Sequence, residues 1–148
     1  ITKLKIRMVQ SIEGSSFLVP LEIIKKNGFM REDFFMYAEE SDFCYKLSKK
    51  SIYSYVVPKS IVLHKGSESF NNCKHLEKYY RRRNFLYFEK EHYGVSIIKN
   101  INKKVGIFNL VKYFIMYTIT DTKKDNLFYI NLANLHAILN LRGKLKIK

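Results

Sequence analysis

The feature that most limits the fold of this chain is an almost continuously apolar run at 105–120, VGIFNLVKYFIMYTIT. The run is interrupted mainly by Asn109 and Lys112. As a helix it would extend about 24 Å at about 1.5 Å per residue, which is short of the roughly 30 Å of a bilayer core. We therefore predict a buried or interfacial helix here, not a membrane span.

Charge is distributed unevenly along the 148 residues of the chain. Residues 1–70 hold 11 Lys/Arg and 8 Asp/Glu, a net charge of +3, whereas residues 71–148 hold 16 and 5, a net of +11. The turn-forming run SESFNN lies where the balance changes. We predict a boundary near Ser69–Asn72 that divides the chain into two parts, 1–70 and 71–148.

Composition bounds the class of protein. The 11 Tyr and 11 Phe, in a chain that is 47% hydrophobic, predict a packed core and argue against disorder. Two Cys are too few for a disulfide scaffold and favour a reducing compartment. The first residues, ITKLKIRMVQ, lack the apolar core of a signal peptide. We expect a cytoplasmic protein.

Short elements of both kinds are predicted in the first half, and longer helices in the second. Apolar and β-branched runs predict strands, whereas a proline, a serine cap and a glycine stop mark the helices. The predicted strands are 3–9, 52–57 and 60–64, and the predicted helices are Pro20–Gly28, one capped by Ser41, and 74–92, 105–120 and 125–141.

The basic second half, where aromatic residues alternate with Lys and Arg from Lys74 to Lys124, admits three interpretations. The helices could lie on an anionic membrane surface, contact nucleic-acid phosphates, or form a packed helical tail with a basic outer face. No recognised nucleic-acid motif is present, so nucleic acid ranks last. Peripheral contact with the inner face of the cell membrane ranks first among the binding functions.

The densest group of reactive side chains is Glu39-Glu40-Ser41-Asp42, with three carboxylates in four residues. A helix N-terminus would offset part of their mutual repulsion, by about 0.3–1 kcal/mol per charge. Spacing alone favours an acidic first helical turn that faces solvent. The functional alternative is a catalytic base beside a metal-bound phosphate leaving group.

The sequence from Gly14 to Asn84 resembles the C-terminal part of a family 2 glycosyltransferase of GT-A type, with rhamnosyltransferase-like bacterial members as the nearest. Four pieces in order carry the resemblance: GSSFLVPLEIIKKNGF, EDFFMYAEESDFCYKL, YSYVVPKSIVLHKGSES and YYRRRNFLYFEK. The resemblance implies an α/β fold, the C-terminal half of a GT-A domain, followed by a mostly helical basic tail. It also implies transfer of a sugar from a nucleotide-sugar donor to an acceptor hydroxyl of a glycan or lipid-linked acceptor.

The resemblance implies a catalytic role for the carboxylate cluster. Members of the family carry a Glu-Asp pair whose Asp is the general base of an inverting transfer, and here the pair is Glu39-Glu40. Glu40 therefore occupies the base position, on a stem that is one methylene longer. Asp42 matches a further acidic position, for which a structural role and a catalytic role are equally open.

The resemblance also implies binding residues on either side of the reaction. Gly14, Ser15 and Ser16 match a loop on the acceptor side of the pocket, and His64 matches a position that helps to hold a divalent metal, Mg or Mn, or the diphosphate. The residues expected near the phosphates are Lys65, Gly66 and Ser67.

An Arg-Asn pair after two tyrosines, Arg83-Asn84, is the last part of the resemblance. Arg83 could bind a donor or acceptor phosphate, and Asn84 could equally be a buried hydrogen-bonding residue. For Arg81 and Arg82 we favour solvated helix charges.

A complete enzyme of this type begins with a nucleotide-binding βαβ half that ends in an Asp-x-Asp metal motif, and no Asp-x-Asp occurs in this sequence. We expect the chain to be the C-terminal portion of a longer enzyme, inactive alone and with most metal ligands elsewhere. An uncovered half-sheet also predicts self-association. The competing class is a non-catalytic basic module that binds an anionic membrane, or a degenerate transferase.

Overall fold

A computed structural model of the chain describes residues 5–65, 74–104, 106–119 and 126–145. The described residues are mostly helical, with one two-stranded antiparallel sheet. They pack into two compact units. The first contains the described residues up to Glu32 and those from Glu39 to Lys65, and the second contains Asp33–Ala38 and the described residues from Lys74 onwards. The predicted boundary near Ser69–Asn72 lies outside the described residues.

The first unit holds the sheet and two short helices. Its strands pair antiparallel, with Arg7 opposite Val56 and Val9 opposite Ser54. The elements are β1 (Arg7–Val9), α1 (Leu21–Asn27), α2 (Glu39–Ser48) and β2 (Ser54–Val56).

Proline and glycine mark the two ends of α1, as the sequence predicts. Pro20 lies immediately before the helix, one position earlier than expected, with a φ of −58°. Gly28 ends the helix at a φ of 77°, and its N–H donates to the carbonyl oxygen of Ile24 at 2.8 Å. Glycine adopts this left-handed conformation without the steric cost of a Cβ.

The core of the first unit is small and is built on α2. Phe43, Cys44 and Leu47 are buried along this helix. The rings of Phe17 and Phe29 approach the Phe43 ring edge-on, with centroids at 6.0 Å and 5.4 Å. These contacts place the loop before α1 and the residues after it against α2.

The second unit is a helical bundle in which α3 and α6 pack most extensively against each other. Its helices are α3 (Lys74–Tyr93), α4 (Ile97–Lys104), α5 (Ile107–Ile119) and α6 (Asn126–Ile138). A short 3-10 helix at Glu32–Phe34 inserts the fully buried Phe34 ring into a core with Leu86 and Tyr87. The predicted helices 74–92, 105–120 and 125–141 are confirmed within a few residues over the described ranges.

Two expectations about secondary structure were wrong, the strand at 60–64 and the cap at Ser41, because α2 begins at Glu39 and Ser41 lies inside it. The predicted strand at 60–64 has no regular structure, and Ile61 and Leu63 are 79% and 95% exposed. A β-branched sequence forms a strand only when it has a pairing neighbour and a covered face, and the described residues supply neither here. Helix α4 was not predicted.

The coarse expectation of a chain with both helices and strands is confirmed, while the GT-A topology stays a prediction. Among the described residues, no helix combines the length and the apolar character that crossing a membrane requires.

Candidate active site

A surface cleft of about 420 Å³ lies at the N-terminal end of α2, within the first unit. The structure brings five of the predicted site residues to it, from three separate parts of the sequence. The lining residues are Gly14, Ser15, Phe17, Phe29, Met30, Glu39, Glu40 and His64.

The carboxylate of Glu40 is fitted to the Gly14 loop. The Gly14 N–H donates to Glu40 Oε1 at 3.1 Å. A Cβ at Gly14 would lie 2.5 Å from that same oxygen, closer than real side chains approach. A second tie joins the loop to α2, because the hydroxyls of Ser11 and Ser41 are 3.2 Å apart. Only glycine at position 14 therefore leaves the Glu40 carboxylate where it is.

The neighbouring carboxylate, Glu39, has a different environment. Burial raises the pKa of Glu39 above its ordinary value, the negative charge of Glu40 adds to the rise, and a hydrogen bond from its own backbone partly opposes it. Its Oε2 is buried and has no hydrogen-bond partner among the described residues. A raised pKa favours the protonated form of this carboxyl group.

His64 lines the cleft and is itself exposed. Lys65 follows it and is exposed as well, whereas Gly66 and Ser67 lie outside the described residues. Over the ranges that the structure describes, no three His, Cys, Asp or Glu side chains gather closely enough to hold a metal ion. The described residues therefore do not form a complete metal site, and the expected metal ligand role of His64 stays a prediction.

Ser16 and Asp42 are placed away from the cleft lining. Ser16 is exposed at the end of the turn, where its N–H donates to the carbonyl oxygen of Glu13 at 3.4 Å. Asp42 is 1% exposed and accepts a hydrogen bond from Lys46 Nζ at 2.7 Å, with Arg31 at 3.8 Å. Of the two roles left open for Asp42, the geometry favours the structural one.

Arg83 and Asn84 are buried in the core of the second unit, at 1% and 0% exposure. The Asn84 amide nitrogen donates to the carbonyl oxygens of Phe34, Met36 and Tyr37 at 2.8, 2.6 and 2.9 Å. Arg83 donates to Asn84 Oδ1 at 2.9 Å and, through Nη2, to the carbonyl oxygen of Phe34 at 3.2 Å.

These bonds hold an unusual stretch of backbone. Phe35, Tyr37 and Ala38 all have positive φ, at 64°, 65° and 72°. Residues with a Cβ rarely adopt this conformation, which costs on the order of 1–3 kcal/mol each. The polar atoms of Arg83 and Asn84 are used to hold this segment, so the expected contact with a donor or acceptor is left without geometric support.

Of the other two arginines, Arg81 agrees with the expected solvated charge and Arg82 does not. Arg81 is more than half exposed and pairs with Glu77 one turn earlier. Arg82 is part-buried, and its Nε donates to Asn134 Oδ1 at 2.7 Å. Burial lowers the pKa of the Arg82 guanidinium.

Three residues of the cleft were missed by the sequence reasoning, namely Phe17, Phe29 and Met30. The sequence held one usable signal, because the apolar residues Phe29 and Met30 directly follow the helix stop at Gly28. In the structure the Phe29 ring packs against the Phe43 ring. These apolar side chains share the cleft with the polar Ser15, Glu39, Glu40 and His64, and small-molecule sites combine apolar and polar groups in this way.

Comparison of the chain with protein-family models, with curated proteins and with solved structures gives no match. The functional assignment therefore depends on the geometry of the cleft and on the resemblance of the sequence.

Proposed function

We propose that the first unit is the acceptor-side portion of an inverting family 2 glycosyltransferase of GT-A type, which acts in the synthesis of a bacterial surface polysaccharide or glycan. The observation that carries the proposal is the meeting of Gly14, Ser15, Glu39, Glu40 and His64 around one cleft. The resemblance implied a shared site for these residues, which come from three separate parts of the sequence.

In the proposed reaction, Glu40 accepts the proton of an acceptor hydroxyl. The acceptor oxygen forms a bond to the anomeric carbon of the donor sugar while the bond from that carbon to the diphosphate oxygen breaks. The leaving nucleoside diphosphate keeps the electron pair. The bond from Gly14 to Oε1 fixes the carboxylate, and the other oxygen, Oε2, takes the proton. Such fixed geometry is what general base catalysis requires.

Glu39 has a complementary role in this proposal. Two ionised carboxylates side by side would repel a diphosphate, and burial raises the pKa of Glu39, which favours its neutral form. The raised pKa of Glu39 thereby lowers the average negative charge of the cleft. The apolar residues Phe17 and Phe29 on the same wall reduce the access of water to the reacting atoms.

The resemblance implies a divalent metal, for which the described part of the cleft offers His64, Glu39 and Glu40. These three side chains do not lie close enough together to hold a metal ion. The proposal therefore assigns most of the metal ligands to the nucleotide-binding half of the enzyme, and no step above depends on the metal.

Exposed apolar side chains on the first unit support the proposal that a nucleotide-binding half packs against it. Ile6, just before β1, and Met8, within it, are 65% and 61% exposed, and Leu18 and Leu63 are 94% and 95% exposed. Concentrated apolar exposure indicates an interaction surface. In the proposed enzyme the nucleotide-binding half covers this surface.

The proposal is tested by Glu40→Gln in the full-length protein, with Glu13→Gln as a matched control on the exposed turn beside the cleft. We expect Glu40→Gln to lower turnover at least a hundredfold, because the amide cannot accept the proton. Glu13→Gln should leave turnover within about twofold. The measurement is nucleoside diphosphate release from a panel of nucleotide sugars in the presence of acceptor, with circular dichroism to check folding. Unchanged turnover in Glu40→Gln would contradict the base assignment.

The competing candidate is a degenerate transferase that lost activity because Glu40 replaced the aspartate of the family. The Glu40→Asp variant distinguishes it from an active enzyme. The fit of Glu40 to Gly14 favours a competent glutamate, so Glu40→Asp should be slower than the natural protein. An inactive natural protein that gains turnover with Glu40→Asp would establish the degenerate alternative.

A further inference from the structure

Helix α5 exposes an apolar face to solvent. Leu110 points inward at 7% exposure, and Tyr113, one turn later, is half-buried. Outside this inner face, Phe108 is 91% exposed, Val111 50% and Ile115 53%. The spacing of three and four residues places Phe108, Val111 and Ile115 on one side of the helix. A helix that only covers a core would carry polar residues there.

Helix α4, which contacts α5, has an outer side of related character. Ile97 and Ile101 are buried at 8% and 0%, whereas Ile98 is 51% exposed. Lys99 and Lys103 are exposed one turn apart, and Lys104 follows them. Both helices therefore present exposed apolar side chains together with lysines.

The charge of this region has a single sign. From His92 to Thr120 the sequence holds four lysines and no acidic residue. Lys112 is exposed on α5 beside Val111 and one turn from Phe108. A lysine stem can lie along an apolar surface while its ammonium group reaches outward. The region thus combines exposed apolar side chains with exposed cations.

We propose that the outer sides of α4 and α5 form a peripheral membrane-binding face for anionic lipid. Phe108, Val111 and Ile115 enter the head-group layer, and the lysines of α4 and Lys112 bind lipid phosphates. Such a face is typical of helices that lie in the plane of a membrane interface, and each lysine near an anionic surface strengthens binding by about fivefold.

Charge selects this occupant over two others. A second copy of the chain seated on the same face would bring its lysines against lysines, with no acidic residue from His92 to Thr120 to compensate. Nucleic acid would use the lysines but would leave Phe108 exposed at 91%. Anionic lipid satisfies the lysines and the apolar side chains together.

The test is sedimentation of the full chain with vesicles of neutral phosphatidylcholine, alone or with about 30% phosphatidylglycerol. We expect binding to the anionic vesicles only, weaker in about 500 mM salt than in about 50 mM salt, because screening removes the lysine contribution. Equal binding to both vesicle types, or to neither, would overturn the proposal.

Two pairs of variants locate the face. Phe108→Ser should weaken binding to anionic vesicles about tenfold, because an apolar ring no longer enters the membrane. Leu18→Ser, at an equally exposed position of the first unit, is the matched control and should have no effect. Replacing Lys99 and Lys103 by Gln should weaken binding about tenfold or more, and the same change at Lys25 and Lys26 of α1 controls for net charge.

The alternative occupants give distinct results. A lipid-free dimer that Phe108→Ser dissociates, without vesicle binding, would assign the face to a second copy and reject lipid. RNA binding that depends on Lys99 and Lys103, with vesicle binding insensitive to them, would also overturn the proposal. Failure of the glycosyltransferase test would leave this inference unaffected.

Discussion

The two compact units use polar side chains in opposite ways. In the first unit, the carboxylates of Glu39 and Glu40 lie at a surface cleft, and the buried side chains all come from α2. In the second unit, Arg83 and Asn84 are sealed inside the bundle, and their hydrogen bonds hold backbone carbonyls. The two glutamates of the cleft are thus at the surface in the first unit, whereas Arg83 and Asn84 are committed to structure in the second.

The difference teaches how a substitution should be interpreted in each unit. A buried polar group that loses its partner destabilises the fold, because the remaining atoms have no access to water. A polar group at an open cleft can be moved with little effect on stability but with a large effect on a reaction that depends on its position. Three changes, from the largest effect to the smallest, test this distinction.

The largest effect is expected for Asn84→Ala in the second unit. The change removes the donor to three carbonyl oxygens between Phe34 and Tyr37, so we expect the free energy of unfolding to fall by about 3 kcal/mol. Urea denaturation followed by circular dichroism measures it. Arg81→Ala, which removes an exposed ion pair of the same helix, should cost less than about 1 kcal/mol.

Asn84→Asp sharpens the same test. The aspartate keeps an oxygen that can accept from Arg83 but has no N–H to donate, so it should be nearly as unstable as Asn84→Ala. If Asn84→Asp were as stable as the natural chain, the carbonyl bonds would not be what stabilises this segment.

An effect on turnover without an effect on stability is expected for Gly14→Ala in the first unit. The added Cβ meets the far end of the Glu40 side chain, which is able to move, so the free energy of unfolding should change by less than about 1 kcal/mol. Displacing the carboxylate should lower turnover of the full-length protein about ten- to a hundredfold. Glu13→Gln, on the same turn but outside the cleft lining, is the control. Gly14→Ala with full turnover would contradict the assigned role of Glu40.

The smallest effect is expected for the contribution of His136, in the second unit, to the pH dependence of stability. Its Nδ1 lies 2.6 Å from the Tyr79 hydroxyl, to which Arg83 also donates. Burial lowers the pKa of His136 below its ordinary 6.5, and the charge of Arg83 lowers it further. The unfolded chain therefore takes up the proton first on acidification, and stability that is complete above pH 6.5 is lost as the pH falls below it.

The His136→Gln variant tests this sign. Its urea midpoint should fall less than that of the natural chain between about pH 7.5 and about pH 5.5, because no proton is taken up at this position. A larger fall in the variant would show that His136 is not the group responsible.

Sequence reasoning succeeded where the determinants are local. Helix α3 was expected because its aromatic and apolar residues repeat at helical spacing, and α1 because Pro20 and Gly28 mark its ends. It failed for 60–64, because whether an apolar run becomes a strand depends on a neighbour that spacing does not reveal.

The candidate site shows the same limit. Nothing in the spacing of Gly14, Glu40 and His64 brings them together, and only the resemblance assigned them to one site. The burial of Arg83 could not be predicted, because the carbonyl of Phe34 that it binds is 49 residues away in the sequence. Propensity describes neighbours along the chain, whereas these contacts depend on tertiary packing.

The left-handed residues between Phe34 and Glu39 have a consequence for the order of folding. The segment that contains Phe35, Tyr37 and Ala38 is held by Asn84, whose amide nitrogen donates to carbonyl oxygens 47 to 50 residues earlier in the chain. The segment cannot hold this shape until α3 has formed and the chain between them, which contains α2 and β2, has brought its two ends together. We therefore expect it to order late, so that weakening its contacts speeds unfolding more than it slows folding.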